Sequence, residues 1–235
     1  MSVDVVRQLI DYQAFYHRFQ PILNLNSQTI VGYEALLRSE WIDAPDEFFR
    51  SIQDPETLLK LDKLSISHAV KQFNESDVSS GVLCINVLPS TVSTVDFPSF
   101  LYNLINDYHM APDQIIVELV ELEAIKNLEA LKVSAQQLKD YGFQLSIDDV
   151  GKGSSSFRLM IEMEPDIIKM DRYFTSELAY STLKQKMIES LIGYCKETNT
   201  QFILEGIEAA SHLDVARHLG VEQGQGYYLA EPFLL

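Results

Sequence analysis

The stretch LEALKVSAQQLKDYGFQLSIDD, residues 128–149, carries a helix, a stop and a strand in one short run. Leu128, Leu131, Ala135 and Leu138 step by three and four, which predicts an amphipathic helix with a single apolar stripe. Gly142 suits its C-terminal cap, because glycine enters the left-handed region without a Cβ penalty. Phe143 to Asp148 then reads as a strand buried on both faces, closing on two acids, Asp148 and Asp149. A helix feeding a doubly buried strand is the repeating unit of a parallel sheet with helical crossovers.

The unit recurs in both directions. Val82–Asn86, Ile115–Glu118, Asp166–Lys169 and Phe202–Glu205 read as further buried strands. Leu183, Met187, Leu191 and Cys195, widened by Ile188 and Ile192, predict a second apolar helix face, and Ser211 is expected to cap a helix that stops at Gly220. Upstream, Tyr16–Leu25 and Thr29–Leu37 flank Asn26-Ser27 as a hairpin, so at least one strand runs antiparallel. A single α/β domain of the (β/α)₈ barrel type suits 235 residues, with an open doubly wound sheet as the alternative.

Charge and composition exclude whole classes of function. With 18 Lys+Arg against 34 Asp+Glu the net charge is −16, the reverse of the basic stripe that DNA binding needs. Cys84 and Cys195 lie far apart in apolar surroundings and form no disulfide framework. The N-terminal MSVDVVRQLIDYQ places Asp4 early and lacks a signal-peptide core, and no run approaches the roughly 18 apolar residues of a membrane span. A cytoplasmic protein with no membrane insertion is expected.

Chemistry collects at the strand ends, where Glu34, Asn86, Glu118, Asp148, Asp149, Lys169, Glu205 and Gln225 stand. In α/β barrels these ends converge on one pit. Acids buried there need a cation, and hard oxygen ligands without a His or Cys motif favour Mg²⁺ or Mn²⁺ over Zn²⁺. The four charges of Glu34, Glu118, Asp148 and Asp149 balance two divalent ions, after which Arg38 and Lys169 leave a pit that accepts phosphate. Two metals about 3.5–4 Å apart are an apparatus for phosphodiester hydrolysis. Taken singly the residues say less. Glu34-Ala35-Leu36 is a common triplet, Asp148-Asp149 before Gly151 and Gly153 also reads as a surface turn, and Lys169 also reads as a snorkelling strand-end lysine. Tyr227 and Tyr228 read first as core aromatics, and His17, His68, His109, His212 and His218 show no ligand spacing.

In order, the motifs say more. Gln20-Pro21-Ile22, Glu34-Ala35-Leu36-Leu37-Arg38, Asn86 with Pro89, and Glu118-Leu119-Val120-Glu121 are followed by Asp148-Asp149-Val150-Gly151-Lys152-Gly153, Lys169-Met170-Asp171, Glu205-Gly206-Ile207-Glu208 and Gln225-Gly226-Tyr227-Tyr228. From about residue 15 to the C-terminus this resembles the EAL-domain family of cyclic di-GMP phosphodiesterases. The resemblance implies a single EAL domain, residues 1–235, folded as a modified TIM-like (β/α)₈ barrel with an antiparallel first strand. It implies a metal-dependent hydrolase that opens cyclic di-GMP to linear pGpG by in-line attack of water, in bacterial second-messenger signalling.

By similarity, Glu34, Asn86, Glu118 and Asp148 would hold one Mg²⁺ or Mn²⁺, and Asp148 with Asp149 a second. Lys169, Glu205, Glu208 and Asp149 would form the catalytic group, with Lys169 near the attacked phosphate and Glu205 as general base or as a water-mediated metal partner. Gln20, Glu34, Leu37, Arg38, Asp171, Gln225 and Tyr227 would meet the nucleotide, and Glu121 would anchor the loop that begins at Asp148. Partners implied are cyclic di-GMP, a second copy of the chain beside the Asp149 loop, and a regulatory protein. The alternative is a catalytically silent member acting as nucleotide receptor or protein-interaction module. The chain departs from the family pattern at Leu88, Val120, Val150, Lys152, Ser154 and Leu204, none of them a metal ligand in the pattern. It carries no GGDEF-like block, so no cyclase activity is expected, and no sensor domain is visible before the barrel.

Overall fold

The computed structural model describes residues 3–76, 78, 81–120, 125–153 and 156–235. Glu121 and Ser154 lie outside the described residues. The strands are β1 Tyr16–Asn24, β2 Ile30–Arg38, β3 Val82–Val87, β4 Ile115–Leu119, β5 Gln144–Val150, β6 Ile167–Met170, β7 Gln201–Leu204 and β8 Gln223–Gly224. The helices are α1 Val3–Asp11, α2 Pro45–Ser51, α3 Pro55–Asn74, α4 Pro89–Val92, α5 Phe97–Asp107, α6 Leu128–Tyr141, α7 Ser156–Met163, α8 Thr182–Thr198 and α9 Ala210–His218. The strands close into a barrel in sequence order. β1 pairs antiparallel with both β2 and β8, and every other neighbouring pair is parallel. The barrel is therefore the observed architecture, and the open doubly wound sheet is excluded.

Local chemistry explains most boundaries. In α6, Asn127 accepts from Ala130 N at the start, and Gly142 at φ +98° ends the helix while Phe143 N donates to Leu138 O. The hairpin turns at Asn26-Ser27, as its sequence suggested, with β1 ending one residue earlier, at Asn24, and β2 starting one residue later, at Ile30. Asn24 Oδ1 accepts from both Asn26 N and Ser27 N, so Asn24 organises the turn.

Two sequence expectations are corrected, and one strand carries no signal in the sequence. Ser211 is not the N-cap of α9, because that position falls to Ala209, and His212 Nδ1 accepts from Glu208 N instead. The α8 stripe buries Ile188, Leu191, Ile192 and Cys195 but leaves Leu183 and Met187 exposed. Steps of four residues drift round a 3.6-residue helix, so Leu183 lies about 120° from Cys195. The last strand, β8, is only two residues long and carries no apolar run for a sequence reading to find.

β1 pairs with β8 only at Leu23 and Asn24, so its outer edge needs other partners. Phe19 exchanges backbone hydrogen bonds with Phe233, and the Gln72 side chain of α3 clasps His17 N and O. Inside the barrel, Ile22, Cys84, Ile116, Ile167 and Ile203 form a buried apolar floor. Side chains alternate along strands, so two residues further along the parallel strands Asn86, Glu118, Lys169 and Glu205 face the same interior. On β1, which runs the other way, the matching residue comes two before the floor: Gln20 before Ile22.

Gly226, two residues after β8, lets two backbones nearly touch: a Cβ there would stand 2.3 Å from Ile207 N and O. Gly226→Ala is expected to destabilise the protein by about 1–3 kcal/mol in urea denaturation. Unchanged stability would show that the segment moves aside freely.

Candidate active site

The mouth of the barrel opens into a cavity of about 590 Å³ lined by residues from both the strand ends and α2 and α3. Behind its lining carboxylates Glu34, Asp148 and Glu205, Lys169 is 1% exposed. Its Nζ lies 2.9 Å from Glu34, 2.6 Å from Glu118, 2.9 Å from Glu205 and 3.5 Å from Asp148. Asn86 Nδ2 donates to Glu34 Oε1 at 3.0 Å, and Gln225 Nε2 donates to Glu34 Oε2 at 2.8 Å. Gln225 Nε2 also donates to Gln20 Oε1, while Gln20 Nε2 donates to the Ala230 carbonyl. Three strands and the C-terminal segment are thereby tied to one glutamate.

Consecutive acids on a regular strand would face opposite ways. Asp148 and Asp149 escape this because the β5–β6 register shifts between Ile147 and Val150, and Asp149 takes φ +54°. One oxygen each from Asp148, Asp149 and Glu205 then lie within 4.8 Å of one another. Asp171, at the end of β6, is buried beside them and accepts from Tyr173 N.

One ammonium does not neutralise four carboxylates, and their titration shows it. Burial, then the neighbouring acids, push Glu118 and Glu205 well above the ordinary carboxylate range against the pull of Lys169. Burial, with Glu34 and Asp149, raises Asp148 to about 6. Glu34 goes the other way: burial raises it, but Lys169 and the hydrogen bonds of Asn86 and Gln225 hold it below its usual value. Burial works against the Lys169 charge, but Asp148, Glu118, Glu205 and Glu34 outweigh it and raise the lysine.

The donor set fits a hard cation. Glu118 Oε2, Asp148 Oδ1 and Gln225 Oε1 are buried without a hydrogen-bond partner among the described residues. All three are oxygens, which suits Mg²⁺ or Mn²⁺.

The remaining expected residues gather at the rim. Leu37 and Arg38 line the cavity, with Leu37 packed in an apolar cluster around Phe15, Phe48 and Leu61, and Arg38 Nη1 donating to Leu37 O. Glu208 and Tyr227 line it too, both exposed. The sequence reading missed Asp62, Arg50 and Arg172, which also line the cavity. Asp62 is buried and accepts from Leu88 N, but a mid-helix acid in α3 carries no motif that would single it out. Among the departures from the family pattern, Leu88, Val150 and Leu204 are buried packing residues and Val120 packs against an apolar cluster. Lys152 alone among the described ones brings a charge to the site.

Known proteins resemble the chain along nearly its whole length. The family model described as "EAL domain" matches residues 3–232. "Probable cyclic di-GMP phosphodiesterase PdeA" of Escherichia coli (strain K12) is 25% identical, over 99% of this chain and 32% of that protein. "Probable cyclic di-GMP phosphodiesterase PdeD" of the same organism is 28% identical, over 92% of this chain and 41% of that protein. The chain thus spans well under half of the curated relatives it matches. A solved Klebsiella pneumoniae BlrP1, a manganese/cy-diGMP complex, superposes with TM-score 0.86 at 26% identity, over 94% of this chain and 56% of that one. An EAL domain protein from Listeria monocytogenes EGD-e, at 24% identity, matches all of this chain and 94% of its own with TM-score 0.86, a likeness of fold.

Lys169→Met removes the ammonium that the four carboxylates share, and is expected to cost about 3–5 kcal/mol at neutral pH. Acids whose folded values are raised contribute stability below their unfolded values and lose it as pH rises through the folded ones, here between 3.8 and about 6 for Asp148. The deficit of the variant should therefore shrink when denaturation is repeated near about pH 5. A deficit independent of pH would show that the lysine acts by packing alone.

Proposed function

Because this chain belongs to the EAL domain family, we propose that it is a metal-dependent phosphodiesterase that hydrolyses cyclic di-GMP to linear pGpG. The observation that supports this most is the nest of Glu34, Glu118, Asp148 and Glu205 around Lys169 at the barrel mouth. Glu34, Asn86, Glu118 and Asp148 would hold one Mg²⁺ or Mn²⁺, and Asp148 with Asp149 a second. Bound there, the ions would lower the pKa of water and offset charge on the phosphate oxygens.

The chain's own residues supply the rest. Lys169 places a positive charge at the attacked phosphate, and Glu34, Glu118 and Glu205 hold that ammonium in position. Glu205, whose proton affinity burial and Asp148 raise, is suited to take a proton from water. Glu208 supports the same end of the barrel. Gln225, Gln20, Arg38 and Leu37 line the cavity, and Asp171 and Tyr227 complete the contacts to the nucleotide. Within the same proposal the chain is one EAL domain, a cytoplasmic component of bacterial signalling that works as a homodimer under a regulatory protein partner. Among the described residues no helix is long and apolar enough to cross a membrane.

Purified protein incubated with cyclic di-GMP and Mg²⁺ or Mn²⁺ should yield linear pGpG on chromatography, and EDTA should abolish it. Glu34→Gln and Asp148→Asn are each expected to lower turnover about a hundredfold or more. Nucleotide binding that persists in EDTA, with no product under either metal, would replace the enzyme with a receptor. No nucleotide binding at all would point to protein contact. Since Asp148 titrates at about 6, protons compete with the cation, and Mn²⁺ affinity by calorimetry should fall below that pH by up to about tenfold per unit.

A further inference from the structure

Asp149 carries a second ammonium. Lys152 Nζ donates to Asp149 Oδ2, and Lys152 N donates to Asp149 O at 3.0 Å, closing a tight four-residue turn. The backbone that presents this lysine has little freedom. Asp149 sits at φ +54° and Gly151 at φ +97°, where a Cβ would stand 2.4 Å from the Phe174 ring. Lys152 lines the same cavity as the carboxylates it faces.

The two lysines of the site differ in one decisive respect. Lys169 is buried among four carboxylates, whereas the Lys152 side chain is 51% exposed on a flexible stem. Lys169 cannot withdraw without uncovering buried charge. Lys152 can swing into water at the loss of one partly exposed ion pair.

We propose that Lys152 is an intramolecular counter-ion of Asp149 that competes with a divalent cation for that carboxylate and so sets the cation concentration at which the site fills. The proposal rests on the reading that Asp148 and Asp149 take a divalent ion. A cation arriving at Asp149 must displace the ammonium or bear its repulsion, and either lowers its affinity. The penalty is that of a partly exposed pair, so its removal should tighten binding about two- to fivefold. Salt screens such a pair, so the difference should narrow at high ionic strength.

The test is calorimetric titration of the full chain with MnCl₂, without nucleotide, comparing wild type, Lys152→Gln and Lys152→Arg at fixed ionic strength. Lys152→Gln should bind Mn²⁺ about two- to fivefold more tightly, and Lys152→Arg should stay near wild type. Thermal melting gives an independent readout: Lys152→Gln should gain more in Tm from Mn²⁺ than wild type does. If wild type binds Mn²⁺ and Lys152→Gln binds it equally or more weakly, the counter-ion role is overturned and the metal reading stands. If none of the three binds Mn²⁺, both are overturned.

Discussion

The Lys169 ammonium, held between Glu34, Glu118, Asp148 and Glu205, is the contact on which the mouth of this barrel depends. These acids come from β2, β4, β5 and the end of β7, and none could stay ionised in an apolar interior without a partner. The lysine supplies that partner from β6 and makes one electrostatic unit of strands remote in sequence. It leaves the unit short of positive charge, so burial and mutual repulsion raise Glu118, Asp148 and Glu205. A site that retains more acid than its own cation can neutralise is stabilised by whatever positive charge it binds.

The surrounding hydrogen bonds tune this unit rather than merely pack around it. Asn86 and Gln225 both donate to Glu34, and that glutamate alone among the four is held below its usual value. Gln225 in turn leans on Gln20, which is fixed by the Ala230 carbonyl. The antiparallel β1 and the C-terminal segment, which break the symmetry of the barrel, thus meet at one amide pair beside the acids. The close approach of Gly226 to Ile207 brings Gln225 there.

Much of this was legible in the chain. Buried apolar runs alternating with helical stripes announced the barrel, and polar residues at the ends of those runs announced where its chemistry lies. Period-two alternation explains why: Cys84, Ile116, Ile167 and Ile203 form the floor, and Asn86, Glu118, Lys169 and Glu205 stand two residues above them. Elements without an apolar pattern were not legible. β8 is too short to show one, the N-cap of α9 is an alanine, and Asp62 is a mid-helix acid that belongs to no motif. Leu183 and Met187 fitted the stripe of α8 by spacing, yet they are exposed because none of the described residues covers the side of the helix to which they drift.

The sequence by itself determined the number and order of the strands from β1 to β7, the hairpin at the start and the residue types delivered to the barrel mouth, because apolar periodicity and strand-end polarity are local properties. Tertiary structure decided how those residues meet. A register shift between β5 and β6 turns Asp148 and Asp149 toward the same place, which strand alternation forbids. It also decided their charges, since Glu34 and Glu118 are the same side chain with opposite titration shifts. Burial and partners, both set by residues distant in the chain, make that difference.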